Sequence, residues 1–350
     1  MSPPDARSEI AVRSERGVFL PEADLWLDPP SPKPRAFVSH AHADHFARHE
    51  RIWCSSRTAE LILARYGRPR KTLEIRAYEF GEEFSPAPGF AARLLPAGHI
   101  FGSAQIHLTR LSDGATLLYT GDFKTRPGLS CERCEAREAG TLIMETTFGL
   151  PRYRFPPPEE IHAQIARFAK ETLEAGGVPA ILGYSLGKAQ EILAALGAAG
   201  IPAMQHDAVA QMSAVYRRHL DCVPAAAALD PANAAGHAVV VPPHLTRTGD
   251  FHKIPRRRTA MVTGWALDPS AKYRFRVDEA FPLSDHADYD DLLAYVEAVR
   301  PQRVLTLHGY AGEFAADLRN RGVEAWSLEG PDQLELGLGM DEAFDWARER

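Results

Sequence analysis

Four potential metal ligands lie within six residues of this chain: His40, His42, Asp44 and His45, spaced as His-x-His-x-Asp-His. Small alanines separate the first three and leave room for them to approach one ion. The apolar residues 36–38 precede this motif and predict a buried strand that ends where the histidines begin. Imidazole and carboxylate ligands of this mix suit Zn, Mn or Fe, and two neighbouring pairs indicate two metal ions. The motif therefore predicts a metal centre and not an ordinary polar loop.

Further ligands are needed, because two per metal are not enough for a two-metal site. Three candidates each follow a predicted strand and lie beside a glycine: His99, Asp122 and His308. Taken alone, each histidine is also consistent with a satisfied polar strand end, and Asp122 with a turn residue. Their shared placement favours the functional interpretation, since glycine allows close approach of the backbone.

Length and composition are those of an ordinary globular protein. The chain has 350 residues, of which 45% are hydrophobic and 25% charged, so we expect two domains or one large domain with an insertion. No run approaches eighteen apolar residues and the N-terminus lacks a hydrophobic signal region, which predicts a cytoplasmic protein with no membrane partner. Four cysteines indicate a reducing compartment. Cys131 and Cys134 form a single Cys-x-x-Cys, which we interpret as a loop turn, with an extra metal or redox role as the alternative.

The net charge of −6 argues against a surface that is positive throughout, but a local patch can still bind phosphate. The best candidate is the basic segment 252–258, for which a solvated loop is the alternative. Residues 183–188 resemble a P-loop, but they are one residue short and Ala189 replaces the Ser or Thr that binds Mg. We therefore do not expect an NTPase. Lys188 at the start of a helix could hold a substrate phosphate, or it could be a surface lysine.

The first 150 residues show short apolar runs broken by Gly and Pro, with one clear helix. The predicted helix is Thr58–Tyr66, and the predicted strands are 93–95, 104–111, 116–120 and 142–145. Three prolines at 156–158 mark a break. There is no internal repeat and no low-complexity tract.

Strands and helices alternate from residue 159 to about 270, which predicts a parallel α/β module. The predicted strands here are 178–183, 201–204, 237–241 and 259–263, and the predicted helices are 159–173, 186–196 and 208–219. After residue 280 we predict a helix at 292–299, a strand at 303–308 and a helix at 313–319.

These motifs together resemble a known family. The order His-x-His-x-Asp-His, Gly-His and Gly-Asp resembles the metallo-β-lactamase superfamily. Glu145, His286 and His308 resemble the three additional motifs of its β-CASP nucleic-acid-processing branch, and the resemblance covers roughly residues 20–325. Within that branch, the chain is most similar to bacterial ligase-associated DNA exonucleases in the segments 41–45, 96–99, 145–151, 186–190, 283–288 and 308–310.

The resemblance implies an α/β fold. An αββα sandwich would be formed by residues 1–155 and 275–350, and residues 156–274 would form an inserted α/β β-CASP cap domain over the metals. It also implies the ligands of two divalent transition-metal ions, Zn, Mn or Fe. Metal one would take His40, His42, His99 and a bridging Asp122, and metal two would take Asp44, His45, Asp122 and His308.

The resemblance further implies catalytic roles for four residues. Two metals about 3.5–4 Å apart would activate a water and neutralise a phosphate oxygen, with Asp122 between them. His286 would touch the scissile phosphate and protonate the leaving oxygen, and Glu145 would keep that imidazole protonated. Asp28 matches the family's first acidic motif and would orient a ligand histidine. Tyr184, Lys188 and Ser284 are the candidate substrate-binding residues.

The predicted function is a metal-dependent DNA exonuclease of DNA repair, acting on single-stranded DNA from 5′ to 3′, with a repair ligase or helicase as the expected kind of partner. At one position the chain differs from the DNA-directed eukaryotic relatives, and this difference favours RNA as the substrate. DNA-directed eukaryotic relatives usually lack a histidine at the position of His308, whereas RNA-processing relatives usually have it, so an RNA-processing ribonuclease is the alternative. A small-molecule metallohydrolase, such as a lactonase or thioesterase, would not need Glu145, His286 or the inserted segment. A non-catalytic scaffold would have lost ligands, and none is missing.

Overall fold

A computed structural model describes residues 9–15, 17–67 and 73–329. The described residues divide into two compact units. The first contains the chain up to Arg126, Glu132–Arg154 and the chain from His286 onward, and the second contains Pro127–Cys131 and Phe155–Asp285. Residues 275–285, which we predicted in the C-terminal part of the sandwich, thus fall in the second unit, and the last part of that predicted segment lies outside the described residues. No helix in the described ranges is long and apolar enough to span a bilayer.

The first unit begins with a six-stranded sheet whose strands lie in chain order. The first three strands pair antiparallel, and the third to the sixth pair parallel. A helix, Ser56–Tyr66, follows the fifth strand, and the Ser55 hydroxyl caps it by accepting the N–H of Thr58 at 3.0 Å. The strands are Arg13–Ser14, Val18–Leu20, Leu25–Leu27, Arg35–Phe37, Arg51–Ser55 and Glu74–Tyr78, and a 3₁₀ turn covers Pro21–Ala23.

A second sheet of seven strands completes this unit. Across the sheet the strands are Glu324–Ser327, Arg303–Leu307, Thr141–Glu145, Thr116–Tyr119, Ala104–Arg110, Phe90–Pro96 and Glu83–Phe84. The strands from the end of the chain therefore add to a sheet begun before residue 150. Glu145 pairs in register with Leu307 in a parallel ladder, so the residues that follow these two strands lie at the same edge.

The two sheets share one hydrophobic core, to which Phe37 and Trp53 contribute from the first sheet and Ile106 and Leu117 from the second. The other face of the second sheet packs against two helices, Tyr289–Val299 and Ala311–Asn320. Helix Ser56–Tyr66 packs beside the last two strands of the first sheet. These four layers form the predicted αββα sandwich.

The second unit is built on a six-stranded parallel sheet. Its central strands are entirely buried, as expected for a parallel sheet with both faces covered. The strand order is Ala227–Ala228, Ala203–Gln205, Ala238–Val241, Val178–Leu182, Arg257–Val262 and Glu279–Phe281. The helices are Pro158–Glu174, Lys188–Ala198, Asp207–Tyr216, Gly249–Lys253 and Ala271–Phe275, with 3₁₀ turns at Pro231–Asn233, Pro243–Arg247 and Gly264–Leu267. The predicted α/β module is confirmed.

Candidate metal centre

The predicted ligands are held by loops that follow strands of both sheets in the first unit. The His-x-His-x-Asp-His motif begins three residues after strand Arg35–Phe37, and Asp122 begins a loop after strand Thr116–Tyr119. Gly121, which directly precedes Asp122, has φ +54°, and a Cβ there would lie 2.5 Å from Cβ of Ser39. Only glycine permits this approach, because both the backbone conformation and the contact exclude a side chain.

Three imidazoles form the first group of converging ligand atoms: His40, His42 and His99. Nε2 of His40 lies 2.9 Å from Nδ1 of His42, which lies 3.1 Å from Nε2 of His99. Nδ1 of His40 contacts Oγ of Ser39 at 2.9 Å. If that ring donates to the serine, its Nε2 lone pair points into the group, which is the tautomer that a metal ligand needs.

A second group adds a carboxylate and consists of His40, His45 and Asp122, all three of which are buried. Nε2 of His45 lies 3.2 Å from Oδ2 of Asp122, and Nε2 of His40 lies 3.7 Å from the same oxygen. Because His40 belongs to both groups, the two lie side by side. Oδ2 of Asp122 also lies 3.8 Å from Nε2 of His99, so this carboxylate is close to ligand atoms of both groups.

Asp28 is a buried support of this centre. Its Oδ2 accepts the Nδ1–H of His45 at 3.1 Å and the hydroxyl of Tyr119 at 2.9 Å, while Oδ1 accepts the N–H of Ser39 at 2.7 Å. Asp28 adopts a left-handed backbone with φ 42°, a conformation that Asp and Asn tolerate better than most residues. These contacts are the ones expected of a carboxylate that orients a ligand histidine.

Two predicted ligands lie at the periphery. Oδ2 of Asp44 is 3.6 Å from Nε2 of His45, and its side chain is 63% exposed. The ring centroid of His308 is 6.0 Å from that of His45, and the His308 N–H donates to Oε1 of Glu329 at 2.7 Å. Neither belongs to a converging group among the described residues. The roles of Asp44 and His308 as ligands stay predictions.

His286 and Glu145 form a close pair beside the first group. Nδ1 of His286 lies 2.8 Å from Oε1 of Glu145, and the rings of His286 and His99 are 4.7 Å apart. The Glu145 carboxylate also accepts the N–H of Phe123 at 3.3 Å and of Thr147 at 2.9 Å, which fixes its position. His286 also belongs to a converging group with His99 and Asp122, so the geometry admits either contact with substrate or metal ligation.

Burial and charge act together on the ionisable groups of the centre. Burial, together with the neighbouring histidines, lowers the pKa of His40 well below its usual value. Burial also lowers the pKa of His45, but Asp122, Asp44 and Asp28 outweigh it, and the net direction is upward. Burial would raise the pKa of Asp122, yet the adjacent His45 holds it well below its usual value. A carboxylate anion among histidines at a buried position is the environment that a bound cation stabilises.

This donor set fits divalent transition metals. Imidazole nitrogens and carboxylate oxygens are the ligands that Zn, Mn and Fe take in hydrolytic sites. The ring nitrogens of His40, His42 and His99 face one another at about 3 Å, and a single cation there would accept the lone pairs of all three.

The candidate substrate residues Tyr184, Lys188 and Ser284 belong to the second unit. Lys188 is 2% exposed, so the surface-lysine alternative is wrong. Its Nζ donates to the carbonyl of Leu283 at 2.7 Å and to Oδ1 of Asp285 at 2.6 Å. Ser284 is buried and Tyr184 is half-buried. Substrate binding by these residues stays a prediction, and the ammonium of Lys188 already holds the segment that precedes His286.

The sequence also offered two weaker candidate features, the basic segment 252–258 and the Cys-x-x-Cys motif. In the basic segment, Arg257 donates to the carbonyl of His252 at 3.3 Å, and a guanidinium nitrogen of Arg258 is 3.7 Å from Oε1 of Glu279. Cys131 and Cys134 lie in a loop, as the turn interpretation predicted, and no disulfide joins them.

Two supporting residues have no clear signal in the sequence. Ser39 directly precedes the motif and is an ordinary polar residue by type, although its hydroxyl contacts His40. Tyr119 belongs to a buried strand and looks like a core residue, yet its hydroxyl reaches Asp28 from 91 residues away. An acidic residue after a strand and a tyrosine at another strand end are common, so only the fold brings them together.

Comparison with known proteins places the chain among metallo-hydrolases. A family model described as "Zn-dependent metallo-hydrolase RNA specificity domain" matches residues 274–327. A "Probable DNA ligase" of Opitutus terrae is 49% identical over 327 residues, which are 93% of this chain and 32% of that protein. The "DNA cross-link repair protein SNM1" of Arabidopsis thaliana is 27% identical over 305 residues, 77% of this chain and 60% of the relative. The chain thus spans less than two thirds of either relative.

A solved structure of a protein of unknown function from Enterococcus faecalis V583 has the same fold. It superposes with a TM-score of 0.54 at 14% identity and covers 83% of this chain and 78% of that chain.

Proposed function

The chain belongs to the β-CASP metallo-β-lactamase family, and we propose that it is a metal-dependent exonuclease that hydrolyses the phosphodiester bonds of DNA. The observation that carries the reaction type is the His286–Glu145 pair, 2.8 Å apart, beside buried histidines and Asp122. DNA as the substrate is supported by the 49% identity to a protein named as a DNA ligase and by the match to a DNA cross-link repair protein.

In this proposal the residues of the centre hold two metals. His40, His42, His99 and Asp122 would hold one metal, and His45, Asp122, Asp44 and His308 would hold the other. The bound metals would supply positive charge for the phosphate and lower the pKa of a water. Asp28 holds His45 through Nδ1, so that Nε2 of that ring faces Asp122.

His286 is the proposed acid. Because its Nδ1 is held by Glu145, Nε2 is the nitrogen that would carry a proton to the leaving oxygen of the substrate. The anchored Glu145 carboxylate stabilises the protonated imidazole and fixes its orientation. The proposal thus gives the proton transfer to His286 and the metals to the other histidines.

We propose single-stranded DNA as the preferred form, degraded from 5′ to 3′. The test compares linear and circular single-stranded DNA, labelled at either end, beside RNA of the same sequence and with Zn, Mn or Fe added. Linear DNA shortened from its 5′ end, with the circle intact, is the expected result. Cleavage of the circle would show an endonuclease, and shortening from the 3′ end would reverse the polarity.

RNA is the second candidate substrate, because the family model matching residues 274–327 is described as an RNA specificity domain and the chain has His308 at the third motif. RNA consumed faster than DNA in the same assay would make this the function. Hydrolysis of neither polymer, with turnover of a small ester, would instead favour a small-molecule metallohydrolase.

We also propose the domain limits 1–155, 156–274 and 275–350. The match that begins at residue 274 supports the second of these boundaries, whereas the compact units divide after Asp285. The similarity to a protein named as a DNA ligase supports a repair ligase as a partner, and a helicase is proposed beside it.

A further inference from the structure

Arg152, Tyr153 and Tyr310 form a compact group in the first unit, which we call the Arg–Tyr cluster. The guanidinium of Arg152 donates to the hydroxyl of Tyr310 at 2.9 Å and to that of Tyr153 at 3.2 Å, and the two hydroxyls are 2.9 Å apart. The Arg152 guanidinium carbon lies 4.9 Å from the ring centroid of Tyr153 and 5.4 Å from that of Tyr310. The cluster therefore combines a cation with two aromatic rings.

The charge of Arg152 is not neutralised within the part of the chain that the structure describes. Its recorded polar partners there are the two tyrosine hydroxyls, and its side chain is exposed. Arg154, two residues along, is instead bound to the Asp290 carboxylate at 2.6 Å and 3.1 Å. In a chain with a net charge of −6, an exposed guanidinium held by neutral groups is suited to bind an anion.

The cluster adjoins the metal centre through two short connections. The Phe148 ring lies 5.1 Å from Tyr153 and 6.1 Å from the imidazole of His286. Tyr310 is two residues from His308, and its N–H donates to the carbonyl of Thr146 at 3.0 Å. The cluster is thus fixed to the segments that carry the proposed acid and a predicted ligand.

The turn before Tyr310 is rigid. Gly309 has φ +61°, and a Cβ there would lie 2.5 Å from Cα of Thr147. This close packing holds the Tyr310 ring beside that of Tyr153, with centroids 5.5 Å apart. A preformed pair of half-buried rings binds at a lower entropic cost than mobile side chains do.

We propose that the Arg–Tyr cluster is a subsite for one nucleotide of a single-stranded substrate, an inference that rests on the proposed function. The tyrosine rings stack on a base, and the Arg152 guanidinium binds a neighbouring phosphate. Stacking on aromatic rings tolerates any base, so the subsite positions the strand without reading its sequence. It would hold a nucleotide near the bond to be cut and would be unused by a substrate too small to reach it.

The alternative to a subsite is a latch, in which the hydroxyl network only ties two segments together. Two changes at one position separate the two. Tyr310→Phe removes the hydroxyl and keeps the ring, whereas Tyr310→Leu removes both. A subsite depends on the ring, and a latch depends on the hydroxyl.

The test measures KM and kcat for a 12-nucleotide single-stranded DNA and kcat/KM for bis(p-nitrophenyl) phosphate, with metal added and Tm recorded. Tyr310→Leu should raise the KM for DNA by about 5- to 150-fold and leave kcat/KM for the small diester within about twofold. Tyr310→Phe should resemble the unchanged protein. Arg152→Gln should raise the KM for DNA and reduce the slope of log KM against log salt by about 1, whereas Arg154→Gln should not.

Several outcomes would overturn the inference. An equal increase of the KM for DNA in Tyr310→Phe and Tyr310→Leu, with a lower Tm in both, would show that the cluster is a latch. A parallel loss on both substrates would show a structural role. If the unchanged protein cleaves DNA and no variant differs from it, the subsite alone is wrong. If the unchanged protein hydrolyses the small diester but neither binds nor cleaves any DNA or RNA, the proposed function fails together with the subsite.

Discussion

Nδ1 of His45 lies 3.1 Å from Oδ2 of Asp28, a residue 17 positions earlier in the chain. This contact fixes which nitrogen of His45 carries its proton and turns Nε2 toward Asp122, 3.2 Å away. The orientation of the proposed ligand His45 is thus set by a carboxylate that belongs to none of the converging groups among the described residues.

Asp28→Asn should weaken metal binding by about 10- to 100-fold, because the amide no longer enforces the tautomer that leaves Nε2 of His45 unprotonated. Asn tolerates the left-handed backbone at this position, so the fold should persist. Competition with a chelator measures the affinity. Asp24→Asn is the control, since Asp24 is 70% exposed and its ion pair among the described residues is with Arg35. Unchanged affinity in Asp28→Asn would remove the orienting role.

A helix or strand of this fold can be predicted from the sequence where its own residues show a clear pattern of apolar positions. The helices at 159–173 and 292–299 show clear apolar periodicity, and the structure has them as Pro158–Glu174 and Tyr289–Val299. Strand Glu74–Tyr78 was not predicted, because it lies at a sheet edge where most of its side chains are exposed and its pattern is polar. Tertiary pairing, and not local preference, makes it a strand.

The same division holds for the site. The clustered motif could be recognised because four ligands lie within six residues, and the approach of Asp122 to His45 was expected from the strand ends and the family resemblance. The contact of Tyr119 with Asp28 could not be predicted, because it joins a strand of one sheet to the residue that follows a strand of the other. The ion pair of buried Lys188 with Asp285 links residues 97 positions apart and has no local pattern either.

Metal analysis after exhaustive dialysis should give about two transition-metal ions per chain, since two converging groups share His40 and Asp122 is available to bridge. His42→Ala should reduce the occupancy of the first position, and His308→Ala should weaken the second. His252→Ala, an exposed histidine of the second unit, is the control. One ion per chain, or normal occupancy in His308→Ala, would show that His308 is not a ligand and that the second position differs from the proposed one.

His286→Ala should lower kcat by about 10²- to 10⁴-fold and leave the metal content unchanged, because the proposal gives this residue a proton to transfer and no metal to hold. Glu145→Gln should act in the same direction, since it removes the negative charge that lies 2.8 Å from Nδ1. Single-turnover kinetics and metal analysis on the same samples measure both quantities. Loss of a metal in His286→Ala would make it a ligand, as its closeness to His99 and Asp122 also permits.

His49 gives the fold an acid-sensitive component. Burial, aided by Lys33 and opposed by Asp28, lowers the pKa of His49 to about 4. The N–H of Lys33 donates to its Nδ1 at 3.1 Å, a contact that requires an unprotonated nitrogen. In the unfolded chain this imidazole takes up a proton below a pH of about 6.5, whereas in the folded chain it does so only near pH 4. The contribution of His49 to the free energy of unfolding is therefore complete above pH 6.5 and is lost as the pH falls toward 4.

The free energy of unfolding of the metal-free protein should therefore fall by about 1–3 kcal/mol more between pH 7.5 and pH 4.5 than that of His49→Asn. Asn can accept the Lys33 N–H without titrating, which makes it the matched variant. Urea unfolding at the two pH values measures the difference. Equal losses in the two proteins would show that His49 is not the acid-sensitive group.

Lys188→Met should destabilise the protein by about 3–5 kcal/mol, because it removes the ammonium that lies 2.6 Å from the Asp285 carboxylate, which is 12% exposed. The double variant Lys188→Met with Asp285→Asn should recover part of that loss, since the carboxylate that lies 2.6 Å from Nζ is removed as well. Lys253→Met removes an ion pair with Asp250 whose side chains are 71% and 73% exposed, and it should change the free energy of unfolding far less than Lys188→Met does. Urea unfolding and the KM for DNA are measured together. A higher KM in Lys188→Met with an unchanged free energy of unfolding would instead mean that Lys188 binds a substrate phosphate, as the P-loop-like segment 183–188 first suggested.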